Sequence, residues 1–253
     1  MNKISAFIIT KNEENKIERT LKNIKNLVDE IVIIDGYSTD KTYEIAKKYG
    51  AKVIHHSLKS FSKQKNLAIK NCRNKWILDI DADEILYPET KKEILQILKA
   101  PEYDAYYIRR EEFYLYKKVM EIKLIRFYKK NKSHYEGCVH EVLKVNGKAG
   151  MLKGKMKHEQ YKYVTVFSEM NKMNKYSDLE MKKIEDSGVK LSRAKNIWLI
   201  TFLPIKHFFG FLLYKGTIRG GWVGVWEAYL AAHNQFLVYL KYYEKHYVKK
   251  EKK

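Results

Sequence analysis

The sequence predicts an α/β protein: an open, mainly parallel central sheet with helices on both faces, followed by a helical C-terminal extension. Three observations lead there. Over the first hundred residues, apolar runs of strand length alternate with stretches of helical periodicity, at the spacing of βαβ units. The runs are apolar throughout, as strands covered on both faces are. After Ser187-Gly188 the composition shifts to long aromatic and aliphatic stretches.

Ile4 to Thr10 is the first such run, and Glu13 to Leu27 carries Ile17, Leu21, Ile24 and Leu27 at helical spacing. Glu30 to Ile34 is a second buried strand. The turn Asp35 to Asp40 follows, where Thr39 or Asp40 can cap a helix carrying Tyr43, Ile45 and Ala46 and stopping at Gly50. Ala51 to His55 is a third strand, Phe61 to Asn71 a helix, and Lys75 to Ile80 a fourth strand that runs into Asp81-Ala82-Asp83-Glu84. From Tyr103 to Met156 the runs YDAYYIRR, EIKLIRFYKK and HEVLKV are β-like, with turns at Glu136-Gly137 and Asn146-Gly147, and they extend the sheet. Val164 to Glu185 is helical and polar. The expected division is residues 1–187, with a first half to about residue 100, and an extension from 188 to 253.

With 253 residues, 45% hydrophobic, the chain can bury a full core. Cys72 and Cys138 stand far apart without a CxxC companion, so neither a disulfide framework nor a thiolate zinc site is expected. Ile4 to Ile9 is too short for a signal-peptide core, which favours a cytoplasmic setting. The net charge of +20 suits nucleic acid, an anionic membrane surface or a phosphorylated substrate. Only seven of the 50 basic residues are arginines, which weighs against direct reading of bases. Neither a GxGxxG after the first strand nor a Walker loop is present.

In an open α/β sheet, ligands bind beyond the carboxyl ends of the strands. Thr10 to Glu14, Asp35 to Asp40 and Asp81 to Glu84 therefore share one rim. Asp81 and Asp83, one small residue apart at a strand exit, can place two carboxylates near one divalent cation. Asp79 and Glu84 add acids whose mutual repulsion calls for a cation. Hard oxygen ligands favour Mg2+ or Mn2+, which bridges carboxylates to phosphate oxygens.

ISAFIITKNEENKIERTLKNI, DEIVIIDGYSTDKTYEIAKKYGAKV, KQKNLAI, WILDIDADE and EGCVHE, in this order, resemble the inverting family 2 glycosyltransferases of GT-A fold. More narrowly, they are similar to the lipopolysaccharide core β-1,4-glucosyltransferase branch. The resemblance covers residues 4 to about 160. It implies that Thr10, Asn12, Glu13 and Asp35 hold the nucleotide of a UDP-sugar donor, and that Lys65 faces its diphosphate. It gives Asp81 to the ribose side of the donor and to the metal, and Asp83 and His158 to the metal, with Glu84 extending the cluster. Glu141 becomes the general base, with Glu136 in reserve and His140 orienting the carboxylate or packing. The wider family reads DDGSTD after the second strand, whereas this chain has Gly36 and Tyr37. The implied reaction moves a hexose, glucose in the narrower branch, to a lipid-linked or cell-surface glycan acceptor.

Lys195, Lys206, Lys215, Arg193 and Arg219 stand against one acid, Glu227, between residues 191 and 240. Pro204, Lys206, His207 and Gly210 interrupt the apolar run, which argues against a spanning helix. Amphipathic helices with Trp198, Phe202, Trp222 and Trp226 beside basic residues suit the headgroup boundary, hence peripheral association with the inner face of the cytoplasmic membrane. Packing on the catalytic domain, or on a second copy in an oligomer, is the other reading of this tail. A single-stranded nucleic-acid-binding protein and a catalytically silent scaffold are the competing functions. The rim acids oppose the first, and the intact acid pair opposes the second.

Overall fold

A computed structural model describes residues 2–57, 60–114, 117–137, 141–159 and 166–248. The first part of the chain runs β1 (Ile4–Thr10), α1 (Ile17–Ile24), β2 (Glu30–Asp35), α2 (Thr42–Lys48), β3 (Lys52–His55), α3 (Phe61–Asn71), β4 (Trp76–Asp79), β5 (Glu84–Leu86) and α4 (Pro88–Lys99). Strands β6 (Ala105–Tyr114), β7 (Lys117–Lys129), β8 (Ser133–Glu136), β9 (Val142–Val145) and β10 (Ala149–Glu159) follow, and then helices α5 (Val166–Asp186), α6 (Arg193–Phe209) and α7 (Trp222–Tyr243). A π-helical turn, Gly210–Tyr214, continues α6.

Eight strands form one sheet in the order β3-β2-β1-β4-β7-β6-β10-β5, and β8 pairs with β9 in a separate ribbon. The four strands from β3 to β4 are mutually parallel, and β7 joins β4 antiparallel. The apolar runs are explained by their cover on two sides. Ile4, Ala6 and Ile8 of β1 pack with Ile17, Leu21 and Ile24 of α1, Ala46 of α2 and Ile94 of α4. Phe7 points the other way, into a cluster with Ala68, Ile69 and Cys72 of α3 and with Tyr128 and Tyr135.

Helix α1 begins at Ile17, four residues later than periodicity suggests. The reason is local: the backbone N–H groups of Asn12, Glu13 and Glu14 donate to Ser38 Oγ, Thr42 Oγ1 and Asp40 Oδ2, so this segment is held as a loop. The short strands β5 and β8 carry no sequence pattern long enough to announce them.

The chain divides into two compact units, residues 1–112 with 121–159, and residues 113–120 with 160–253. The division thus falls near residue 160, not at the composition change near 188, because α5 packs with the later helices. In the second unit Val119, Met173, Val223 and Leu230 form a small core joined by Met170, Trp226 and Leu237. A polar seam binds α5 to α7, with Asn234 and Gln235 donating to the carboxylate of Glu180. Ser192 caps α6 by accepting from the Lys195 N–H at 3.2 Å, and the buried Asn196 donates to Tyr239 O of α7. A Cβ at Gly224 would lie 1.6 Å from Thr217 O, so only glycine lets α7 pass the turn before it. Among the described residues, one helical stretch, Arg193–Tyr214, is long and apolar enough to cross a membrane, despite Pro204 and Lys206.

Candidate active site

The carboxyl ends of β3, β2, β1 and β4 lie in that spatial order, which brings the three polar clusters to one rim. The β1 and β2 loops are stitched together. Asn12 Oδ1 accepts the Thr39 N–H at 2.8 Å, Glu14 Oε2 accepts that of Lys41, and Gly36 N–H donates to Thr10 O. Asn12 and Tyr37 both hold positive φ, 56° and 58°, an uncommon conformation for such side chains that these cross-links maintain.

Asp35 is 1% exposed and spends its oxygens inside this loop, accepting from the Ser38 N–H and hydroxyl and contacting His55 Nδ1 at 3.0 Å. His55 in turn stacks on Tyr37 and Tyr43, with ring centroids 5.6 and 5.3 Å apart. The expected nucleotide contact at Asp35 is therefore the anchor of a three-ring stack whose outer ring, Tyr37, is 60% exposed. Thr10 is buried, and its Oγ1 has no hydrogen-bond partner among the described residues.

At the exit of β4 two arginines fill the acid cluster. Arg126 Nη2 donates to Asp81 Oδ2 at 2.6 Å and to Glu84 Oε1 at 2.5 Å, and its Nη1 lies 3.2 Å from Asp79 Oδ1. Arg110 Nη1 donates to Glu84 Oε1 at 2.7 Å and stands 3.6 Å from Asp81. Burial alone would raise the pKa of Asp81; Arg126, Lys65 and Arg110 outweigh it and hold this carboxyl well below the ordinary range. Glu84, fully buried, is pushed up by its burial, and its Oε2 accepts the Asp81 N–H, fixing the loop.

Asp83 is set apart from this knot. His158 Nε2 lies 3.3 Å from Asp83 Oδ1, while Nδ1 contacts Glu112 Oε2 at 2.6 Å. Burial disfavours the imidazolium, yet hydrogen bonds to Asp83 and Glu112 prevail and hold its pKa up at about 9. Lys16 bridges Asp83 at 3.5 Å and Glu13 at 3.1 Å, tying the β1 loop to the acid loop.

A carboxylate holding the far nitrogen of a histidine is the usual support of a metal-binding imidazole. Cis ligands of an octahedral Mg2+ or Mn2+, at about 2.1 Å each, are about 3 Å apart. The Asp83–His158 pair fits such an ion. Asp81 does not complete it as placed, since it is turned to Arg126, and among the described residues no three histidine, cysteine or acidic side chains converge on one ligating position.

Beside the acid loop a pocket of about 440 Å3 is lined by Lys65, Arg110, Lys123 and Arg126, with Asp81 and Glu141 as its acids. Lys65 Nζ lies 3.4 Å from Glu141 and 3.5 Å from Asp79, over the ring of Tyr135 at 4.7 Å. The Tyr135 hydroxyl donates to Asp79. Lys65 and Glu141, 76 positions apart, are thus neighbours. Glu136 is elsewhere, exposed and paired with His134 at 2.9 Å, and Cys138 and His140 lie outside the described residues. A larger depression, about 1130 Å3, opens among Asn2, Lys25, Asp29 and Leu95 at the opposite ends of the strands, away from the acids.

Arg126, Arg110, Glu112, Tyr135 and His55 escape sequence reasoning. The available signal was the rarity of arginine: three of seven, Arg109, Arg110 and Arg126, fall inside the apolar β-like runs YDAYYIRR and EIKLIRFYKK. A charged residue there needs a buried acid, and Asp79, Asp81 and Glu84 supply it.

A parallel α/β sheet with an acid loop beyond β4 and a cationic pocket beside it is an arrangement suited to an anionic ligand. The pattern of Glycosyl transferase family 2 matches residues 5–158, and the chain belongs to that family. An uncharacterized glycosyltransferase of Rickettsia typhi is 34% identical over 227 residues, covering 83% of this chain and 77% of its own. The lipopolysaccharide core biosynthesis glycosyltransferase LpsC of Rhizobium meliloti is 27% identical over 260 residues, covering 97% and 94%. The crystal structure of S. aureus TarS in complex with UDP is 18% identical, covers 98% of this chain and 92% of that one, and superposes with a TM-score of 0.48.

Proposed function

We propose that the enzyme is a metal-dependent, inverting transferase. It would move a hexose, glucose in first place, from a UDP-sugar to a lipid-linked or cell-surface glycan, at the inner face of the cytoplasmic membrane. The observation that carries this reading is the pocket in which Lys65, Arg110, Lys123 and Arg126 surround Asp81 and Glu141: its cationic surplus suits a diphosphate, and the Glu141 carboxylate, beside Lys65, suits an acceptor hydroxyl. The near full-length likeness to LpsC supports a glycan of the cell envelope as acceptor.

On this reading the base stacks on Tyr37, outermost of the three rings, and Thr10 Oγ1, without a hydrogen-bond partner among the described residues, meets the nucleoside. Asn12, Glu13 and Asp35 act by holding the loop that carries these contacts. Asp83 and His158 would hold Mg2+ or Mn2+, with Asp81 beside them, and the ion would offset charge on the departing diphosphate. Glu141 takes the proton of the acceptor hydroxyl as its oxygen bonds to the anomeric carbon and the bond to the diphosphate breaks. Lys65, already between Glu141 and Asp79, then faces the charge that develops.

The experiment is donor hydrolysis with a panel of UDP- and GDP-sugars, with Mn2+, with Mg2+ and with EDTA. UDP-glucose turned over only with a divalent ion is expected. Equal turnover in EDTA would overturn the metal assignment, and a GDP-sugar preference the nucleotide.

A further inference from the structure

The amphipathicity of α6 is inverted. Ile197, Trp198, Phe202, Ile205, Phe209 and Leu213 recur at helical spacing on one side of α6 and its π-helical continuation, and each is about half exposed. The other side is spoken for by α7: it starts from the buried Asn196, hydrogen-bonded to Tyr239 O, and Arg193 Nε donates to the Tyr243 hydroxyl. A soluble helix turns such residues inward; an exposed apolar face of this size marks an interaction surface.

Charge indicates what covers it. Between Asp186 and Glu227 there is no acid, while Lys190, Arg193, Lys195, Lys206, Lys215 and Arg219 flank the stripe. An isologous contact with a second copy would set these six cations against themselves. An anionic lipid surface attracts them. Crossing the bilayer is a different matter. Helix α7, packed along α6, carries Asn234 and Gln235 on Glu180, and Lys241 on Asp178 at 2.6 Å, groups that are costly in hydrocarbon.

We propose that α6 lies in the plane of an anionic membrane surface, with Trp198, Phe202, Ile205 and Phe209 inserted at the headgroup boundary and the flanking bases on the phosphates. The helix lies on the membrane and does not span it, although its length and composition would suffice to do so. The inference rests on the transferase reading only in giving the enzyme a lipid-borne acceptor. Vesicle binding needs no donor, so its failure leaves donor hydrolysis intact, and loss of donor hydrolysis leaves vesicle binding intact.

The test is sedimentation of the full chain with phosphatidylcholine vesicles, with and without phosphatidylglycerol, at low and high salt. Binding only to the anionic vesicles, weakened by salt, is expected. Trp198→Ser with Phe202→Ser should lower partitioning at least about tenfold, and Lys195→Gln about fivefold. For the unaltered chain, quenching by lipids brominated near the ester end should exceed that by lipids brominated near the chain end. Binding that ignores phosphatidylglycerol and salt, or survives the double substitution, overturns the proposal. Stronger quenching by the deep bromines would make α6 a span. Self-association lost in the double variant, without vesicle binding, would give the face to a second copy.

Discussion

Glutamine at position 141 keeps the shape of the side chain and removes its capacity to take a proton. Transfer by Glu141→Gln should fall about 10²- to 10⁴-fold, with donor affinity nearly unchanged, in a coupled assay with parallel calorimetry. Loss of donor binding instead would place this residue in the donor pocket beside Lys65, its neighbour at 3.4 Å. Arg126 gives a stability prediction. Arg126→Met leaves the fully buried Glu84 with Arg110 alone, and urea unfolding should show about 3–5 kcal/mol of destabilisation, part of it restored by adding Glu84→Gln. His158 gives a pH prediction in EDTA. Its folded pKa, about 9, lies above the ordinary 6.5, so the folded state holds the proton longer. That stability is fully present below about pH 6.5 and is lost as pH rises through about 9, roughly 3 kcal/mol in all. Urea midpoints at the two ends of this range should differ in the parent chain and much less in His158→Asn. Residue by residue, the acids of the rim were legible because a strand exit and an i, i+2 spacing are local. The partners that define their state were not. Arg110 and Arg126 reach Glu84 from 26 and 42 positions away, and no local spacing encodes such a meeting.

The elements of the first hundred residues follow from hydrophobic pattern. Strand β1 and helix α3 coincide with their expected ranges: β1 is an unbroken apolar run between Lys3 and Lys11, covered on both faces, and α3 starts at the Ser60 cap and buries one side. Helix α1 starts later than its periodicity predicts, because side chains of the β2 loop and the start of α2, Ser38, Asp40 and Thr42, occupy N–H groups that a longer helix would have used. The β1 and β2 loops make a separable prediction at this scale. Tyr37→Gly removes the outer ring of the stack and also relieves a tyrosine held at φ 58°. Thermal stability should therefore change by no more than about 1 kcal/mol, while UDP affinity drops by the about 1–3 kcal/mol that base stacking contributes. Equal loss of both quantities would make Tyr37 a structural residue.

At the scale of the chain, composition placed a boundary near residue 188 and packing places it near 160. Composition registers where aromatics begin, whereas packing registers which faces meet, and Met173 of α5 meets Val223 and Leu230 of α7. Ending the chain before Ser192 should therefore strip α5 of its cover, and size-exclusion chromatography should show aggregation or a lowered melting point. A well-behaved monomer of full stability would show α5 to be independent of α7. Gly224 adds a genetic consequence. With Thr217 O where a methyl group would have to go, the passage of α7 beside the turn that precedes it admits a single hydrogen atom at this position. A Gly224→Ala allele should act conditionally: tolerable in the cold, where a strained turn survives, and null on warming, with the catalytic residues untouched and the loss read as disappearance of the protein from the cell.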